Sequence, residues 1–173
     1  DLRTALFSSL DRLGRKKRIL AIPPDFTRLH SQAGPLTELV HEYYGEQLTD
    51  VLPAIGTHAP MSEDELRVMF GTVPRRLFRN HDWRKGLTTL GMVPPSFVEE
   101  VSEGRVDYGI PMQIDTLVAE GKHDLIISIG QVVPHEVIGM ANQSKNVFVG
   151  TGGEDVINKT HFLGAAYGME RIM

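Results

Sequence analysis

Three places in this sequence set acid, base or cationic side chains directly behind a short apolar run. Asp25 and Arg28 come after the run 18–22, His58 closes Gly56-Thr57-His58 after the run 48–55, and His135 follows the run 124–129 by way of Gly130-Gln131-Val132-Val133-Pro134. Neutral imidazole takes or gives a proton near neutrality, and a guanidinium grips a carboxylate with two parallel hydrogen bonds. Such a set suits proton transfer on an anionic substrate. The remaining histidines have a plainer reading, because buried polar side chains are usually satisfied structural groups. His30, His41, His81 and His123 are therefore taken as structural, with His41 and His123 at the surface on account of helix position and charged neighbours. The loop His81-Asp82-Trp83-Arg84 either lines a site or pins the proline-rich middle of the chain. Gly150-Thr151-Gly152-Gly153, ahead of a helix, either offers backbone N–H groups to a phosphate or makes a plain turn.

The elements that must position these groups alternate between the two periodicities. Leu2, Ala5, Leu6, Leu10 and Leu13 recur at helical spacing over 2–13, with Gly14 as the stop. A strand over 18–22 ends at Pro23-Pro24, which cannot continue a ladder. The pattern then predicts a helix over 35–45, a buried strand over 48–55 and a helix that begins at the capping-box stretch Ser62-Glu63-Asp64-Glu65 and ends near Phe70-Gly71. Residues 72–105 are punctuated by Pro74, Pro94 and Pro95, with a short helix over Ser96–Gly104. One or two strands fall in 106–118, a strand covers Asp124–Ile129, and a last helix covers 158–172. Strands alternating with helices predict an α/β, Rossmann-like three-layer domain around a mostly parallel sheet, where ligands gather at the carboxyl ends of the strands.

Composition removes several function classes. The chain of 173 residues is long enough for one domain with a core, and 41% apolar and 23% charged residues describe an ordinary globular protein. A net charge of −4 gives no electrostatic footprint for nucleic acid, and the basic run Arg15 to Arg18 reads as a solvated strand entrance. No run of about 18 apolar residues and no signal pattern occur, so no membrane partner and a cytoplasmic location are expected. The absence of cysteine rules out protein thiolates as ligands or nucleophiles; a metal must be held by histidine, carboxylate or a non-protein group. The chain opens on Asp1 and stops inside a helical pattern at Glu170-Arg171-Ile172-Met173, as expected of an excerpt from a longer protein.

Four landmarks in order resemble one family, the nickel-dependent lactate racemases and their 2-hydroxyacid racemase and epimerase relatives. Pro24-Asp25-Phe26-Thr27-Arg28 is similar to the family's Asp-x-Thr-Arg loop, and Gly56-Thr57-His58-Ala59-Pro60-Met61-Ser62 to its Gly-Thr-His-x-Pro-Met element. Ile129-Gly130 through Pro134-His135 to Lys145 keeps the family's ten-residue step from histidine to lysine, and His161 follows sixteen residues later, again at the family spacing. The resemblance implies a nickel-pincer nucleotide, a pyridinium mononucleotide that holds nickel through two sulfurs and a ring carbon. It implies that Lys145 fixes this cofactor through a thioamide, that His161 is the protein ligand to nickel, and that His58 and His135 are the catalytic pair. Asp25 and Arg28 match positions near substrate and cofactor, with Arg28 set to grip the substrate carboxylate. A soft nickel site in a cysteine-free chain then makes sense, because the sulfur arrives with the cofactor.

On this resemblance residues 1–173 form a single N-terminal cofactor-binding and catalytic domain, the family's C-terminal domain lies outside this chain, and the partners are a small 2-hydroxyacid and cofactor-synthesis proteins. Two departures bear on substrate identity: Gly139-Met140-Ala141-Asn142-Gln143-Ser144 replaces a glycine- and serine-rich approach to the lysine, and Phe26 replaces a basic residue often found there. Two other readings stand beside this one. His58, His135 and His161 could jointly bind a divalent ion in a hydrolase or lyase. Alternatively, the chain could be a non-catalytic module that binds a nucleotide or carries the cofactor.

Overall fold

The order of elements follows from where apolar runs are interrupted. The computed structural model describes residues 1–172. Helix α1 (Leu2–Asp11) begins at Asp1, whose carboxylate accepts the N–H of Thr4. Strand β1 (Ile19–Ile22) stops at Pro23, and a 3-10 segment, Phe26–Ser31, leads into α2 (Ala33–Tyr44). Strand β2 (Leu48–Val51) follows, then α3 (Glu63–Phe70), where Ser62 and Glu65 form the capping box expected from their spacing. Next come β3 (Leu87–Val93), α4 (Pro95–Val101), β4 (Ile110–Asp115), α5 (Thr116–Glu120) and β5 (Leu125–Ser128). The chain continues through the two-residue strands β6 (Pro134–His135) and β7 (Gly139–Met140) to α6 (Ser144–Phe148), α7 (Glu154–Tyr167) and α8 (Met169–Ile172).

The central sheet is parallel, in the order β2-β1-β5. Strand β1 lies between the other two and all four of its residues are buried, which is why it reads as an unbroken apolar run. Its side chains alternate between two cores. Ile19 and Ala21 pack with Leu10 of α1, Val40 of α2 and Leu66, Met69 and Phe70 of α3. Leu20 and Ile22 pack on the opposite face with Leu52, Ile114 and Val118, covered by Val147 and Phe148 of α6. The result is the expected three-layer α/β arrangement. A third cluster, Val98, Val106 and Ile110 with Leu163, ties α4 and the antiparallel β3-β4 ribbon to α7.

Several boundaries differ from the sequence reading, each for a physical reason. Strand β3 falls in the stretch where no strand was expected: none of its residues is fully buried, so it shows no inward-outward alternation. The expected strand 48–55 ends as a ladder at Val51, since Pro53 has no N–H to give, although Leu52 and Ala54 still donate to Ala21 and Pro23. Within 106–118 only Ile110–Asp115 is extended; Asp115 caps α5 by accepting the Leu117 N–H. The last long helix starts at Glu154 rather than 158 and breaks at Gly168, whose φ of 113° leaves the helical region.

His123 is not at the surface. Its ring is buried, with Nε2 2.8 Å from the carboxylate of Asp50, which also accepts from Thr49 and meets Arg79 at 2.9 Å and Arg18 at 3.4 Å. Burial alone would push the Asp50 carboxyl upward, but the hydrogen bonds from His123 and Thr49 and the charge of Arg79 hold it below the usual carboxylate range. The neighbouring Asp124, an exposed-looking charge in sequence, takes the N–H groups of Lys17 and Arg18 and so closes the entrance to β1.

Candidate functional site

A cleft of about 320 Å³ opens at the carboxyl ends of β1, β2 and β5 and brings together all six side chains singled out from sequence: Asp25, Arg28, His58, His135, Lys145 and His161. One wall comes from the turns after β1 and β2, the other from the segment after β5 together with α6 and α7.

On the first wall, Asp25 is buried and caps the 3-10 segment. Its Oδ1 accepts the N–H of Thr27 at 3.1 Å and the Thr27 hydroxyl at 2.5 Å, which leaves Oδ2 free to meet Nδ1 of His58 at 2.5 Å. An ionised carboxylate only accepts, so Nδ1 of His58 carries the proton and Nε2 of the neutral ring keeps its lone pair. His58 is brought there by the Gly56 turn, whose N–H binds the carbonyl of Gly150 at 2.8 Å. Asp25 thus contacts a histidine, a role the sequence reading did not assign to it.

The second wall holds a different tautomer. His135, in the β6-β7 hairpin, is 9% exposed, and its Nδ1 accepts the N–H of Val137 at 3.2 Å, so the neutral ring carries its proton on Nε2. Burial, then the positive charge of Lys145, lowers the pKa of His135; the nearby Glu136 opposes this. On α7, Nδ1–H of His161 donates to the carbonyl of Ile157 at 2.6 Å, leaving Nε2 with an unshared pair suited to a metal. The rings of His135 and His161 are 6.2 Å apart, edge to face. They come this close because Gly164, one turn along α7, has no side chain: a Cβ there would lie 1.8 Å from the carbonyl oxygen of Val137.

Lys145 stands on α6, in the second wall. Burial first, and repulsion from Arg28 second, push its ammonium pKa downward, against the opposing pull of Asp25 and Glu136. Its helix is held by two asparagines. Asn146 is buried and its amide donates to the carbonyls of Ile22 and Ile129, the last of β1 and the first after β5, and to Oδ1 of Asn142. Asn142, at φ 61°, donates to the Gly130 carbonyl and accepts from Ser128. Sequence reasoning passed over Asn142, Asn146 and Gly164; the departure from the glycine-rich pattern at Asn142 was the one signal for any of them.

The other histidines lie outside the cleft. His81 is buried with Nδ1 2.8 Å from Asp115 and Nε2 3.0 Å from the carbonyl of Gly152, so it pins the middle of the chain to the turn before α7. That turn is structural: Gly152, Gly153 and Glu154 give their N–H groups to the carbonyls of Val149, Gln113 and Trp83, leaving none of these three for a phosphate. Among the described residues, no three histidine or acidic side chains converge to hold a bare metal ion. His161 can contribute one ligand, and the remaining donors would have to come with a non-protein group, which fits a cofactor that carries its own sulfur.

The family model described as lactate racemase N-terminal domain matches residues 6–170. A Thermotoga maritima protein of known crystal structure superposes on 96% of this chain and 41% of its own, with a TM-score of 0.82 and 27% identity. The lactate racemase apoprotein from Thermoanaerobacterium thermosaccharolyticum superposes on 87% of this chain and 33% of its own, with a TM-score of 0.60 and 23% identity, a likeness of fold. The chain therefore spans less than half the length of either structure. No curated protein matches it in a sequence search. No described helix is long and apolar enough to cross a membrane.

Proposed function

This chain belongs to the lactate racemase N-terminal domain family, and we propose that it forms the cofactor-bearing half of a racemase or epimerase of a small 2-hydroxyacid. The observation that carries the reading is the convergence of Asp25, Arg28, His58, His135, Lys145 and His161 on one cleft. The residues suit a nickel-pincer nucleotide. Lys145 would tether it, because an amine whose charge is disfavoured by burial is available in the neutral form that can be acylated. His161 would supply the protein ligand through its unshared Nε2 pair. When bound, this cofactor accepts hydride from C2 of the substrate and returns it.

The chain's own residues handle the carboxylate and the proton. Arg28 binds the substrate carboxylate. His58, fixed as the Nδ1–H tautomer by Asp25, takes the hydroxyl proton at Nε2, so the substrate loses a proton and a hydride and becomes a planar 2-keto acid. After the keto acid turns over, hydride would return to its other face, and the oxygen regains its proton from an imidazolium, either the one His58 formed on taking the hydroxyl proton or His135 once it has taken up a second proton. His135 flanks that face as a hydrogen-bond donor; to act as the base in the opposite direction its proton moves to Nδ1 and the Val137 N–H is released. The two histidines are therefore unlike in the resting site.

The full-length protein, produced together with cofactor-synthesis proteins, tests this. The expected results are a covalent adduct on Lys145 by intact mass and peptide mapping, and interconversion of the enantiomers of at least one 2-hydroxyacid, lost in His58→Ala and His135→Ala. A removable divalent ion without an adduct would favour the hydrolase or lyase reading. An adduct without turnover of any acid in a broad panel would favour a carrier.

A further inference from the structure

We infer that Glu136 makes this cleft select 2-hydroxymonocarboxylates and reject acids with a second carboxylate. The inference rests on the racemase reading and concerns the part of the substrate remote from C2. Glu136 follows His135 in the β6-β7 hairpin and lines the same cleft. Its carboxylate is 4.0 Å from Nδ1 of His135, an unprotonated nitrogen of the neutral ring, it forms no ion pair with a lysine or arginine among the described residues, and its side chain is 68% exposed. The other carboxylate of the cleft, Asp25, is engaged by Thr27 and His58. Glu136 is thus the acidic group left to meet a ligand.

Counting the cations gives the sign of the effect. Arg28 and Lys145 are the cationic groups lining the cleft. Tethering of a cofactor converts the Lys145 amine into a neutral amide-type group, and the substrate's own carboxylate takes Arg28. A second substrate carboxylate placed beside Glu136 would then meet a like charge, with no third lysine or arginine among the described residues that line the cleft to neutralise the pair. A hydroxyl or a cationic group in the same place could instead donate to Glu136. The backbone N–H of Val137, beside Glu136, is already given to His135.

The test compares size-matched pairs on the full-length, cofactor-loaded protein: 2-hydroxybutanoate against 2-hydroxysuccinate, and 2-hydroxypentanoate against 2-hydroxyglutarate. The wild type should favour each monocarboxylate by roughly tenfold or more in kcat/KM, an electrostatic discrimination expected for like charges at close range. Glu136→Gln should narrow that ratio severalfold, chiefly through KM for the dicarboxylate, and Glu136→Asp should keep it. Because both members of a pair use the same histidines, the ratio cancels any indirect effect on His135. An unchanged ratio in Glu136→Gln, or a wild type that prefers dicarboxylates, overturns the inference while leaving the racemase reading intact. If the wild type turns over none of the acids, the racemase reading fails, and calorimetric titration of the same protein with the same pairs decides on Glu136. Monocarboxylate preference in binding, lost in Glu136→Gln, would support its role; equal binding, or none, would overturn it.

Discussion

The carboxylate of Asp25 and the imidazole of His58, 33 residues apart in sequence, meet at 2.5 Å across the carboxyl ends of β1 and β2. The contact fixes which ring nitrogen is free, and it makes Asp25 a positioning residue. Asp25→Asn can present an amide N–H to the ring and so favour the opposite tautomer. We expect kcat to fall on the order of 10²–10⁴-fold, the usual worth of general base catalysis, and the nitrogen-15 shifts of His58 to report protonation moving from Nδ1 to Nε2. Turnover at the wild-type level in Asp25→Asn would sink the assignment.

Lys145 should make the untethered domain less stable at neutral pH than its absence would. Its pKa in the folded chain lies below the ordinary 10.5, chiefly through burial. Between the lowered value and 10.5 the unfolded chain holds more protons, so stability rises with pH across that window. Lys145→Met is expected to raise the denaturation midpoint at pH 7 and to show no gain above pH 10.5. The same variant should carry no adduct. A midpoint difference that does not vary with pH would show that the ammonium is not desolvated.

His135 gives the complementary dependence in acid. Its folded pKa is lowered from 6.5, by burial first and Lys145 second. Above 6.5 both states hold the neutral ring and nothing is lost; as pH falls from 6.5 through the folded value, the unfolded chain takes up the proton first and stability declines. Denaturant titrations from pH 7.5 to 4.5 should show this decline in the wild type and a smaller one in His135→Gln. Parallel curves would contradict it.

Gly164→Ala separates packing from helix propensity. In an open helix the change would stabilise by about 1 kcal/mol, but here the new Cβ would meet the Val137 carbonyl oxygen. Overpacking of this kind costs roughly 1–3 kcal/mol, so net destabilisation and a separation of the two rings are expected. The thermal unfolding midpoint and the racemisation rate would both fall. A variant more stable than wild type would mean that α7 and the hairpin are not in backbone contact.

What could be read from sequence was what the chain encodes locally. Strand β1 shows itself because both faces are buried, and the capping box at Ser62 and Glu65 announces α3. Asp25, Arg28, His58 and His135 were found by their places after strands, Lys145 and His161 only through the resemblance to the racemase family, and the structure brings all six together. The misses depend on distant partners. His123 sits beside Lys122 and Asp124 and looks solvated, yet its acceptor is Asp50, 73 residues away. Strand β3 lacks an apolar face to betray it. Which nitrogen of His58 or His135 holds the proton depends on Asp25 and on the N–H of Val137, which no spacing rule supplies.

Asn146 bonds to carbonyls at the ends of two adjacent strands and, from the next residue, carries the lysine. The placing of that amine in the cleft is therefore coupled to the integrity of the central sheet. The rate at which an acylating reagent entering the cleft marks Lys145 would report, in variants of Asn146, whether the strand ends still hold the helix in position.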